Sequence, residues 1–132
     1  MITFSSTLKK ARFDAIGTAI AVGAALPKMN IYNGTRPANM GSPTSGNTLI
    51  CTVNINRPVF KTPQTGMVGV INTALESVVL ADGTPTWCRI FDGSNTPMID
   101  LDVGEGLDVQ LNQPNFVAGS KLTVSSLTLT EA

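Results

Sequence analysis

Hydrophobic and polar residues alternate in short runs along most of this chain of 132 residues, and only its first part follows a different rhythm. The clearest run is the last. After Gly119-Ser120, which reads as a turn, Leu122, Val124, Leu127 and Leu129 are interleaved with Lys121, Thr123, Ser125 and Thr128. One apolar residue in two is the mark of a half-buried strand. The same grammar predicts strands over residues 29–32, 48–55, 58–60, 67–72, 76–80, 86–91, 98–103 and 107–111. Asn33-Gly34, Pro63-Gln64-Thr65-Gly66, Asp82-Gly83, Asp92-Gly93-Ser94-Asn95 and Gly104-Glu105-Gly106 punctuate them as turns. Residues 36–47 hold Pro37, Gly41, Pro43 and Gly46 without periodicity and read as a loop. About eight to ten strands with turn signals every 8–12 residues or so predict an all-β fold, an antiparallel β-sandwich. A jelly roll is the leading topology, because eight strands in two sheets suit this length.

The exception is a helix. Ser5 or Ser6 can cap a helix starting near Thr7, and Leu8, Ala11 and Ala15, with Phe13, Ile16 and Ile20, supply an apolar stripe at helical spacing. Gly17 and Gly23 weaken its later part, so it should end between Ile20 and Gly23, before Pro27. The chain therefore divides into an N-terminal helix or arm, residues 1–26, and a β-sandwich domain, residues 27–132. Two sheets already bury one another, which leaves a lone helix no layer to complete. It is expected to lie over an open end of the sandwich or to be offered to another subunit, and to be dispensable for folding when residues 1–23 are removed. Lys9, Lys10 and Arg12 before the apolar residues 15–26 have the look of a signal peptide, but Asp14 interrupts the approach and the run is too short to span a bilayer.

Composition sharpens this picture. Apolar residues make up an ordinary 42%, but charged residues only 14%, against about 25% in typical domains. Nine basic and nine acidic residues cancel, so nothing draws the protein to nucleic acid or to an anionic membrane. A surface this poor in charge suits a protein that lives in contact with other subunits. There is no histidine. The commonest general base, the commonest metal ligand and the usual pH switch are therefore missing. Cys51 and Cys88 each sit inside an apolar run and read as buried small hydrophobes, with any pairing between them undecided by sequence.

The candidates for chemistry are few. Asp92, Asp100, Asp102, Glu105 and Asp108 crowd the second half, but Asp92-Gly93-Ser94-Asn95 lacks the alternating acids and closing Glu of an EF-hand. They read as a solvated face and turn acids, with a calcium or carboxylate-pair site as the alternative. Gly104-Glu105-Gly106 and Gly66-Met67-Val68-Gly69 introduce no helix and so form no phosphate cradle. Serines lack a histidine base, and for a Ser-Lys dyad Lys9, Lys10, Lys28, Lys61 and Lys121 have no telling partner. Trp87 reads as a core or core-edge residue, with sugar stacking as the alternative. Arg89 should pack or pair across strands. Arg36, before Pro37, should donate to carbonyls, pair with an acid or contact an interface. We expect no catalytic residue, no cofactor and no metal.

Three segments carry a resemblance. Met29-Asn30-Ile31-Tyr32-Asn33-Gly34-Thr35-Arg36-Pro37-Ala38 resembles the strand and Gly-x-Arg-Pro-Ala turn of small structural proteins of tailed phages and prophages. Thr86-Trp87-Cys88-Arg89-Ile90-Phe91-Asp92 resembles their Trp-x-Arg-aliphatic strand, and residues 107–112 with Val117-Ala118-Gly119 and the Thr-rich end are similar to their C-terminus. The match runs in order from about Leu8 to Thr130, departing at Cys88 and in the polar 40–47 loop. The resemblance implies a non-enzymatic virion structural protein, closest in role to a capsid decoration or cement protein on the outer shell. Its partner would be the phage major capsid protein, and it would form dimers or trimers after synthesis in the host cytoplasm. A tail or neck position, or a carbohydrate- or host-surface-binding sandwich, are the other readings. Leu8, Phe13, Ile16, Ile20 and Arg36 are the expected assembly contacts.

Overall fold

The computed structural model describes residues 5–40, 46–60, 68–74 and 76–130. It is an all-β antiparallel sandwich with one helix. Among the described residues, helix α1 spans Ser6–Ile20 and nine strands follow: β1 Lys28–Tyr32, β2 Leu49–Phe60, β3 Val68–Thr73, β4 Ser77–Val78, β5 Trp87–Phe91, β6 Pro97–Asp102, β7 Val109–Leu111, β8 Lys121–Leu122 and β9 Val124–Thr130. The expected strands at 48–55 and 58–60 are one strand, β2, with a register shift between Ile55 and Phe60. The expected turn at 63–66 lies outside the described residues.

Seven strands form one sheet in the order β6-β5-β1-β2-β3-β9-β7, and β4 pairs with β8 in a second. Every pair between named strands is antiparallel. In a row of seven alternating strands the first and last run the same way. The two ends of the sheet accordingly meet through a parallel bridge, Val103 to Val109. The sheet thus folds over on itself, with β2 passing from one layer to the other through its irregular stretch. The order contains one Greek key, β5-β1-β2-β3, rather than the paired keys of a jelly roll. Strands β1, β2 and β3, consecutive in the chain, are direct neighbours, whereas a jelly roll pairs strands remote in sequence. One core joins the layers: Met29, Ile31, Val53 and Ile90 from one side meet Ile71, Val109 and Leu127 from the other.

The helix begins as its sequence demands. Ser5 is the N-cap, and its side chain accepts from Leu8 N at 3.1 Å. Its two ends differ. Leu8 is 45% exposed, whereas Ile20 is 1% exposed and belongs to the core. Three further contacts fix the far end. Arg57 Nη2 donates to the carbonyls of Ala21, Gly23 and Ala25 at 2.9–3.1 Å. Gly17 lies so close to the Phe60 ring that a Cβ there would sit 3.2 Å from it. Gly23, at φ 111°, presses backbone to backbone on Gly93 in the β5–β6 turn, where a Cβ would come within 2.2 Å of the Gly93 carbonyl carbon. The first turns of the helix are exposed, and its last turn belongs to the core. Truncation at Gly23 would take Ile20 out of the core, which runs against the expectation that the segment is dispensable.

Candidate functional site

Of the four expected assembly residues whose side chains are described, Ile16 and Ile20 pack together on the core, and Leu8 and Arg36 do not join them. Leu8 is exposed on the first turns of α1, Ile16 is half-buried against the core, and Ile20 lies within it. Ile20 is therefore a core residue and presents nothing to a neighbour. The Phe13 side chain lies outside the described residues. Arg36 is remote from the helix stripe: its guanidinium pairs with Asp102 at 3.1 Å, and both side chains are largely exposed.

Alternation along β1, β5 and β6 places Tyr32, Trp87, Arg89, Asp100 and Asp102 on the face of the sheet opposite the core. Around Trp87 and Arg89 this outer face is nonetheless closed. Trp87 is 0% exposed and Arg89 3%. Trp87 stacks on Tyr32 with ring centroids 4.7 Å apart, and the Arg89 guanidinium lies 5.2 Å from the Trp87 ring. Arg89 donates twice to Asp100, from Nε to Oδ1 at 2.7 Å and from Nη2 to Oδ2 at 3.0 Å. That bidentate bond holds the guanidinium charged, against its burial. The segment after β1 reaches the rim of this cluster: Trp87 Nε1 donates to Asn33 O at 3.3 Å and Thr86 Oγ1 to Gly34 O at 2.6 Å. Asn47 Nδ2 ties Asn33 and Thr35 together by donating to both carbonyls. The expected cross-strand pairing of Arg89 is present. The expected exposure of the acids holds for Asp102, Glu105 and Asp108 but not for Asp100, which is buried as the partner of Arg89, nor for Asp92, a turn acid that is buried and accepts from Ser94 N and Thr96 N at 2.9 Å each. Side-chain alternation could not reveal this, because a covered outer face and a solvated one share the same period. The signal that could have found the pair is the register itself, which sets Asp100 directly opposite Arg89.

A buried Trp87 offers no ring face to a sugar. Cys51 and Cys88 are buried and free, and each is paired in register with Ile31, from opposite sides of β1. Two strand spacings, roughly 9–10 Å, separate them, beyond the reach of about 7 Å that a disulfide allows. Burial pushes the Cys51 thiol up to about 11 and raises Cys88 as well, so neither supplies a thiolate near neutral pH. Among the described residues, no three His, Cys, Asp or Glu side chains gather as metal ligands would. A cleft of about 460 Å³ lies where the sheet ends meet, between Thr84-Pro85, Gly104-Glu105 and Gln110. Glu105 is the one titratable side chain lining it, so it holds no acid–base pair. A second, of about 520 Å³, lies between α1 and the bend of β2, and its Arg57 is the residue already bound to three carbonyls.

The surface shows one further feature. Val78 and Leu80 are 52% and 58% exposed, and Val117 is 64% exposed. Their sequence neighbours Val79 and Phe116 are buried. The three project outward from the ribbon that carries β4 and β8. No family model, curated protein or solved structure matches the chain.

Proposed function

We propose that this chain is a non-enzymatic structural subunit of a tailed-phage virion, seated on the outer capsid shell as a decoration or cement protein. Its partners on this reading are the major capsid protein and further copies of itself. The observation that carries the proposal is the exposed apolar strip of Val78, Leu80 and Val117 on a chain with 14% charged residues and no net charge. Such a surface associates by apolar contact rather than by electrostatic steering. The resemblance of the strand and Gly-x-Arg-Pro-Ala turn at residues 29–38 directs that association to a phage particle. In this structure that turn carries Arg36, outside the buried cluster, with its charge directed at Asp102.

The test is to find the protein in purified virions by mass spectrometry and to place it by cryo-microscopy. Density on the capsid exterior is the expected result, and density at the neck or tail would move the role there. Absence from the particle would overturn the reading. Rebinding of purified protein to stripped particles should change little between low and moderate salt, and a steep salt dependence would contradict association by apolar contact.

A further inference from the structure

The two ends of the seven-stranded sheet touch at one bridge and then part. Gly104 N donates to Val109 O at 2.9 Å, just past the bridge from Val103 to Val109. Beyond it Thr84-Pro85 faces residues 110–114 across the cleft of about 460 Å³. Both ends of this gap are tied. Val103 N donates to Thr86 O at 3.0 Å, and Gly83 exchanges two backbone bonds with Phe116, at 3.0 and 2.9 Å. Pro85 and Pro114, one in each wall, have no N–H, so the walls lack donors there to close as a ladder. The short wall, from Gly83 to Thr86, spans roughly 10 Å at the rise of an extended chain.

The lining mixes two chemistries. Pro85 and Val103 are buried and form an apolar floor. Glu105, Gln110 and Gln113 stand around it, and among the described residues none of these three side chains has a hydrogen bond or an ion pair. Asn112 is held in place: its Oδ1 accepts from Thr123 N and its own N donates to Thr123 O, both at 3.0 Å, which leaves Nδ2 to donate elsewhere. The volume lies within the range of ligand sites, about 300–1,000 Å³. The lining then narrows the ligand. Among the described residues no Lys or Arg lines the cleft, and Glu105 repels an anion. An apolar ligand would leave the amides unpaired. One exposed carboxylate holds a cation weakly. A peptide strand longer than the gap would have to break the pairing at one end. A compact ligand dense in hydroxyls meets all of these constraints, because hydroxyls and carboxamides both donate and accept. We propose that this cleft binds a neutral saccharide unit. Gln110, Asn112 and Gln113 bond its hydroxyls, Glu105 accepts from one of them, and the C–H face of the ring lies on Pro85 and Val103. Trp87, which is buried, takes no part.

The test is to titrate the isotope-labelled full chain with glucose, galactose, mannose, N-acetylglucosamine and rhamnose and to follow it by NMR. At least one sugar, in the millimolar range, should move the backbone signals of Gly104, Glu105 and Leu111 and the side-chain amides of Gln110, Asn112 and Gln113, while the signals of α1 stay in place. Gln110→Ala and Gln113→Ala break no side-chain bond within the described residues, and each should weaken that binding by about three- to tenfold. Glu105→Gln keeps an acceptor and removes the charge, so it should weaken a neutral sugar by no more than that. Acetate and spermidine should leave the cleft signals unmoved. Silence of the cleft towards all five sugars would overturn the proposal. So would a response to acetate, or a response to spermidine that Glu105→Gln abolishes. The site is separate from the virion reading: failure here leaves that reading standing, and absence from virions leaves the saccharide titration to decide this one.

Discussion

The β6-β5-β1-β2 layer has buried side chains on both faces, a broad set on the inner face and a central patch on the outer, held by different chemistry. The inner face is Met29, Ile31, Val53, Cys88 and Ile90, apolar throughout and packed on the opposite layer. The outer face is Tyr32, Trp87, Arg89 and Asp100, where aromatic stacking and a bidentate ion pair stand in place of a second hydrophobic layer. The inner face tolerates changes that conserve volume, because its contacts are non-directional. The outer face depends on complete pairing, because a buried charge without its partner bears its full desolvation cost. The burial that lets the inner face gain from the hydrophobic effect makes the outer face vulnerable to single substitutions.

The largest expected break in this comparison is Asp100→Ala, which removes the bidentate carboxylate from the buried Arg89 guanidinium. We expect a loss of about 3–5 kcal/mol, measured by urea unfolding. The sharper form is the double substitution Arg89→Met with Asp100→Leu, which should return most of that loss and fall close to the parent protein. If the double variant is as unstable as Asp100→Ala, the pair is doing more than filling the outer face. On the inner face Ile31→Ala should cost about 2–5 kcal/mol and Ile31→Val only about 0.5–1.5, a graded response that the ion pair should lack.

The thiols of the inner face supply a smaller, pH-dependent effect. Cys51 is raised from its ordinary value of 9.0 to about 11 in the folded chain, and Cys88 is raised as well. Between those values the folded state holds protons that the unfolded state has released. The associated stability is present below pH 9 and falls as pH rises towards 11, by at most about 1.4 kcal/mol per pH unit for each thiol. Replacing both cysteines by alanine should flatten that alkaline slope in thermal unfolding, and an unchanged slope would place its origin in other groups. The smallest effect is expected from Arg36→Ala. Its pair with Asp102 is exposed, so the change should be about 0–1 kcal/mol, far below that of the buried pair on the same sheet.

Most of the strands were legible in the sequence because period-two alternation and turn residues are local. Asn33-Gly34, with Gly34 at φ 79°, ends β1 where expected, and Asp92 closes its turn through its own neighbours. Ser5 capped the helix for the same reason. The assembly residues were less legible. An apolar stripe at helical spacing identifies Ile16 and Ile20 as covered, but not by what, and here the sandwich itself covers Ile20. The outward strip escaped notice because Val78, Leu80 and Val117 lie in two segments that only strand pairing joins.

The sequence by itself determined the all-β class, the helix with its cap, the turns and a surface with little charge. Each depends on residues within a few positions of one another or on composition. Tertiary structure alone decided which face of each strand met the core, that Asp100 would be buried against Arg89, and that the last turn of the helix would join the sandwich. It also decided that Cys51 and Cys88 would stand two strands apart and that a sheet of seven strands would close through Val103 and Val109. The physical reason is that register and strand order are set by long-range pairing. Alternation states that a strand has two faces, but only the partner laid against each face gives it an environment.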